Sequence, residues 1–149
     1  MSLHVAIFVS ALLWVSFCLA ELEIAIEGPD GWAATLPTWR LPDDHWLTVL
    51  LGRPVTGYHF WLIVFVFSIL HVPYLFVTPT WSAELQILSF NCLFWVLEDF
   101  LWFLRNPAYG LANFRPENIW WHKVWWGVMP RDYYIGSLAG AALYAFSLT

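Results

Sequence analysis

Apolar residues fall into four long runs, at about 3–22, 58–77, 85–104 and 133–148, separated by polar segments. A helix rises about 1.5 Å per residue, so roughly 20 apolar residues cross a hydrocarbon core of about 30 Å. The four runs predict four membrane-spanning helices. The fourth is the shortest; it either sits protected within a bundle or thins the bilayer locally. Gly28-Pro29 stops the first run, which carries helical character through Glu27 and sets Glu23 and Glu27 on one face. Pro73 should kink the second. The connection at Thr78-Pro79-Thr80-Trp81-Ser82 is short, so the second and third spans should be antiparallel neighbours. Asn106-Pro107 ends the third.

Two longer segments, 28–57 and 106–132, connect the runs. Pro42, Asp43 and Asp44 before an apolar stretch, with Gly52 after it, predict a short helix there. Leu36-Pro37-Thr38-Trp39-Arg40-Leu41-Pro42 should be extended. Pro116 and Gly127 bracket a Trp-rich stretch that reads as a second short, interfacial helix. The predicted fold is therefore all-α and integral to the membrane. One domain over 1–149 forms a four-transmembrane-helix bundle, with short interfacial helices in its two inner loops. Gly136-x-x-x-Gly140 and Ser137-x-x-x-Ala141 give the last helix a small-residue face. It suits packing within the chain, or contact between copies in a homo-oligomer.

Composition agrees. The chain is 60% hydrophobic and 11% charged, with a mean hydropathy of +0.63, outside the range of ordinary soluble domains. Twelve Trp residues suit the membrane–water boundary. Cys18 and Cys92 lie in apolar runs and suggest neither a disulfide framework nor a redox motif. Cys18-Leu19-Ala20 loosely resembles a signal-peptidase site, but no Lys or Arg precedes the run, so a retained helix is expected.

Charge sets the expected orientation. All six Lys and Arg residues lie in the two long connections: Arg40 and Arg53 in the first, Arg105, Arg115, Lys123 and Arg131 in and around the second. Positive residues in short loops remain cytoplasmic. Both long loops should then face the cytoplasm and both termini the other side. A net charge of −5 argues against nucleic acid as a partner.

The same face collects the candidate chemistry. Ten of the eleven carboxylates, with His45, His59 and His122, belong there. Glu84, Asn91, Glu98 and Arg105 recur every seven residues and form one slanted stripe. Glu98 lies roughly 10 Å inside Arg105 along the axis and needs an interior partner, because an unpaired carboxylate in hydrocarbon is costly. Expected partners are His59, Arg53, Arg105, His122 or Glu27. Asp99 points about 100° away and can bond Trp indoles instead. Glu21 and Glu23 read as a solvated edge, and His45 as a surface residue.

Imidazole with carboxylate suits Zn, Fe or Mn as a divalent transition metal. In that reading His59, Glu98 and His122 are ligands and Glu27 or Asp99 completes the shell. Arg40 and Arg53 would hold an anionic group of a lipid or apolar small-molecule substrate. His122 among Trp residues reads first as an interfacial side chain and second as a ligand. A b-type haem would instead need paired His residues, His71 with His4 in the outer half, or His59 with His122 or His45. His71 and His59 are about 18 Å apart along the second run. Three functions follow: a membrane metalloprotein, with or without enzymatic activity; a non-catalytic membrane subunit or assembly factor; and a proton or cation pathway along the Glu84–Arg105 stripe.

Overall fold

A computed structural model describes residues 3–149. Helix makes up 64% of it. The elements are α1 (Leu3–Glu27), α2 (Trp46–Leu51), α3 (Gly57–Leu70), α4 (Trp81–Arg105) and α5 (Arg131–Ser147), with a two-strand hairpin of β1 (Trp125–Trp126) and β2 (Met129–Pro130) before α5. By length and composition, α1 and α4 are long and apolar enough to cross a membrane.

The ends of α1 and α4 follow from their sequences. Gly28, left-handed at φ +66°, closes α1 through its N–H on the Ile24 carbonyl at 2.9 Å. Thr80 caps α4, its hydroxyl oxygen accepting from the Ala83 N–H at 3.1 Å. α2 is shorter than expected. His45 caps it through Nδ1 on the Leu47 N–H, and left-handed Gly52 ends it.

α4 lies between α1 and α5. The buried positions of α1, Leu12, Ser16, Ala20, Glu23 and Glu27, recur at three and four residues and so form one stripe. Gly136 and Gly140 let α5 approach α4 closely. A Cβ at Gly140 would stand 2.5 Å from Leu93 Cγ, and one at Gly136 2.6 Å from Val96 Cγ2. Ser89 donates across this contact to the Gly140 carbonyl at 2.7 Å. The small-residue face is thus filled by α4 of the same chain.

α3 differs from expectation. The helix stops at Leu70 and a 3₁₀ turn, Val72–Leu75, follows. Pro73 has no N–H to continue the α pattern, so it ends the helix rather than kinking it. α3 packs lightly, and Gly57 is its one buried residue. Its two ends are tied instead. At its first residues Gly57 donates to the Trp39 carbonyl at 2.8 Å and Tyr58 to Thr38 Oγ1 at 2.8 Å. Just past its last turn His71 and Tyr74 bond Glu84 of α4 at 3.2 and 3.0 Å. Instead of packing side by side along their length, α3 and α4 are joined through His71 and Tyr74 on Glu84, and side chains of both line a cavity nearer the Gly57 end.

The 106–132 segment also departs from expectation. No helix forms between Pro116 and Gly127. Ile119 and Trp121 turn inward to join Ala20, Trp32, Trp102 and Phe103 in the hydrophobic core. Gly127, at φ +64°, makes the two-residue turn between β1 and β2, where the first turn residue must adopt positive φ. The glycine that reads as a helix stop is a hairpin turn. The core therefore sits at the loop end of the helices, where it frames the polar groups.

Candidate metal centre and its cavity

Each polar side chain at the loop end is placed by a short piece of local structure. Ser16, Ala20, Glu23 and Glu27 share the α1 stripe that faces α4, so both glutamates point inward and are buried at 6% exposure. Thr56 caps α3. Its hydroxyl oxygen lies 3.2 Å from the His59 N–H and 2.7 Å from His59 Nδ1. That bond orients the imidazole and leaves Nε2 facing Glu27 at 3.4 Å. Trp32 stacks on the ring at 3.9 Å, its indole N–H donating to the Pro54 carbonyl at 2.9 Å.

The Trp32-Ala33 turn is strained, with φ of 49° and 51°. A left-handed non-glycine residue costs roughly 1–2 kcal/mol. The strain places the Ala33 N–H on Glu27 Oε1 at 2.6 Å. Arg40 secures the turn by donating to the Ala33 and Ala34 carbonyls.

One ligand atom from each of Glu23, Glu27 and His59 lies within 4.8 Å of the others. Glu98, 2% exposed, meets Glu23 side chain to side chain, and Tyr58 also reaches Glu23. Glu23 Oε1 and Glu98 Oε1 are buried without a hydrogen-bond partner. Two carboxyl groups in contact need a proton or a cation between them. Among the described residues no Arg or Lys supplies it: Arg105 pairs with Glu21 at 2.6 Å and Arg53 with Asp132. The arrangement can hold a cation through one imidazole nitrogen and several carboxylate oxygens, a donor set for a borderline transition metal.

A second cluster lies across Trp32, whose ring centre is 6.4 Å from that of His122. His122 Nε2 is 3.0 Å from Asp99 Oδ2, which also accepts from the Tyr133 hydroxyl. His122 Nδ1 has no hydrogen-bond partner and stands 4.0 Å from Asp132 Oδ2. Arg53 forks onto Asp132 through Nε, at 2.8 Å, and Nη2, and lies over Trp32 at 5.1 Å.

The expected residues are thus divided. His59 and Glu27 come together, and Glu98 joins them through Glu23. Asp99 and His122 form the second cluster. Asp99 bonds an imidazole and a phenol rather than indoles, and His122 is buried rather than interfacial. Arg53 lines the cavity, whereas Arg40 holds the loop outside it. Glu98 meets Glu23, which is not among its expected partners; of those expected, Glu27 stands in the same group. Reading Glu21 and Glu23 as a solvated edge holds for Glu21 and fails for Glu23. The recurrence of Glu23 with Ser16 and Ala20 was the available signal for its burial. In the outer half His71 bonds Glu84, while His4 bonds Gln86 at 3.0 Å, so the two His residues each have a different partner.

A cavity of about 640 Å³ opens beside both clusters. Its polar wall holds Glu23, Glu27, His59, Glu98, Asp99, Arg53 and Asp132. Its apolar wall comes from Phe60 and Ile63 of α3, Trp95 of α4, and Ile135 and Gly136 of α5. The 28–57 segment roofs it with Trp32, Leu50, Pro54 and Val55. Acid surrounds the site beyond the cavity as well: burial, Asp30 and Glu27 push the Tyr109 phenol above its usual pKa. No protein-family model, no curated protein and no solved structure matches the chain.

Proposed function

We propose that this protein is a multi-pass membrane metalloprotein. Glu23, Glu27, His59 and Glu98 hold a divalent transition metal (Zn, Fe or Mn), and the adjoining cavity receives a lipid or other apolar small molecule for chemistry at that metal. The observation that carries the reading is the pair of buried, unpartnered oxygens, Glu23 Oε1 and Glu98 Oε1, beside the Glu23–Glu27–His59 group. A divalent ion would supply counter-charge to these glutamates, offsetting two of their three negative charges. Nδ1–H of His59, donating to Thr56, would fix the tautomer that leaves Nε2 free to ligate.

Membrane insertion by four spans is part of the proposal. α3 exposes large apolar side chains, among them Trp61 at 63% and Phe65 at 62%, and α5 exposes Leu138 at 72%. Surface of this kind suits lipid. α3 rises about 21 Å and its 3₁₀ turn adds about 8 Å, together close to a hydrocarbon thickness. The Lys and Arg distribution favours cytoplasmic loops and outer termini. Single cysteines at Ser82 and Lys123, with Cys18 and Cys92 replaced by alanine, check the orientation. An impermeant thiol reagent applied to intact cells is expected to label position 82. Labelling of position 123 alone would reverse the topology.

Elemental analysis of detergent-purified protein tests the metal. Near-stoichiometric Zn, Fe or Mn is expected, lost in His59→Ala and kept in His71→Ala, whose imidazole lies about 18 Å away along the axis. Retention of full metal by His59→Ala would end this reading and leave a non-catalytic subunit as the better one.

A further inference from the structure

Most charged groups around the cavity are paired with one another, Arg131 Nε being buried without a hydrogen-bond partner, and this pairing bears on what kind of molecule fits there. On the second cluster's side, Arg53 forks onto Asp132. Asp99 accepts from Tyr133 and from His122. Arg131 spends Nη2 on the Leu50 and Leu51 carbonyls, at 3.0 Å each, where it caps α2, and its Nε stands 3.6 Å from Asp132 Oδ1. Arg40, the other cation near the roof, is bound to the Ala33 and Ala34 carbonyls. On the first cluster's side the unmatched oxygens belong to Glu23 and Glu98, which the proposed metal would ligate. A negatively charged headgroup would enter beside these carboxylates with the Arg53 and Arg40 guanidinium groups already bound, and a positively charged one would compete with the ion for the same glutamate oxygens; burying an unpaired charge costs several kcal/mol.

The remaining surface is apolar, and it faces the gap between α3 and α5. α3 is pinned at both ends and open in the middle, so Phe60 and Ile63 form one side of an entrance whose other side is Ile135 and Gly136. In a bilayer this entrance would face acyl chains. A volume of about 640 Å³ lies in the range of small-molecule pockets.

We infer that the cavity selects an uncharged amphiphile, a lipid bearing a hydroxyl head, which enters sideways between α3 and α5 and presents its oxygen to the Glu23–Glu27–His59–Glu98 group. This deepens the metalloprotein reading and rests on it for the ion that occupies the glutamate oxygens. It replaces the anionic substrate expected from Arg40 and Arg53, because both guanidinium groups are already bound.

Photo-crosslinking tests the assignment. Diazirine-tagged hexadecanol, hexadecyl phosphate and hexadecyltrimethylammonium are presented to the purified protein in neutral-detergent micelles, and the labelled residues are mapped by peptide mass spectrometry. Metal content is measured on the same samples. Hexadecanol is expected to label the Phe60–Ile63 and Trp95 region roughly tenfold or more above either charged probe, equivalent to about 1.4 kcal/mol of preference. Ile63→Trp, on the exposed side of α3, should abolish that labelling and leave metal content unchanged. Equal labelling by a charged probe overturns the inference, as does alcohol labelling that Ile63→Trp leaves intact. The two readings separate cleanly. Stoichiometric metal with a charged probe bound refutes the substrate class alone. An alcohol preference in metal-free protein refutes the metal alone.

Discussion

Replacing Glu98 with glutamine is expected to move stability and metal binding in opposite directions. Glu98 and Glu23 meet side chain to side chain, and each keeps a buried oxygen without a partner. In metal-free protein the two carboxyl groups must take up a proton to stay in contact, whereas the glutamine amide would donate to the Glu23 carboxylate in a charge-assisted hydrogen bond without that proton. Such a bond contributes about 1–3 kcal/mol, so the metal-free variant should resist denaturant better than the metal-free parent. Metal affinity should fall by at least about a hundredfold, since even groups that only orient a ligand cost about 10- to 100-fold when lost. Denaturant unfolding in micelles, with and without chelator, reads both effects. A variant that is less stable without metal and equally loaded with it would mean that the Glu23–Glu98 contact is structural and holds no ion.

What the sequence made legible depended on how local the cause was. Gly28-Pro29 ends α1 by an interaction spanning a few residues and is readable from the chain, whereas the Thr80 cap starts α4 at Trp81, four residues before the apolar run at Leu85 that marks it in the sequence. The Gly136/Gly140 face is readable as a packing surface, and its partner is α4 of the same chain. Gly127 reads from the sequence as a helix stop and is a hairpin turn in the fold, where Ile119 and Trp121 insert into a core assembled from distant segments. The site divides along the same line. His59 opens α3 and Glu98 lies near the end of α4, so their sharing one cavity wall follows from the short connection between the two helices. Glu23 was legible only through its recurrence with Ser16 and Ala20, and the Asp99–His122–Tyr133 cluster required knowing where the Trp32 loop folds. That loop depends on a left-handed Trp-Ala pair which no propensity foretells.

Gly31→Ala is expected to have the largest effect of any single methyl group added near the site. Gly31 sits at φ +61°, and a Cβ there would stand 2.8 Å from Cη2 of both Trp102 and Trp121. Two costs combine. The left-handed backbone disfavours alanine by about 1–2 kcal/mol. Overpacking against two buried indoles adds about 1–3 kcal/mol, because Trp102 and Trp121 are held in the core at 4% and 2% exposure and cannot swing away. The total of roughly 2–5 kcal/mol should appear as a large fall in the unfolding midpoint. Relief of the clash would also shift the next two residues, lifting Trp32 from the His59 ring and the Ala33 N–H from Glu27. Metal content should therefore drop with stability, although Gly31 carries no ligand atom. A Gly28→Ala control separates the causes: Gly28 has a similar φ of +66° but no atom within 4 Å of the added Cβ, so it should lose only the backbone share and retain its metal. Equal losses in the two variants would assign the effect to backbone conformation alone and remove the Trp102–Trp121 contact from the account of how the site is held.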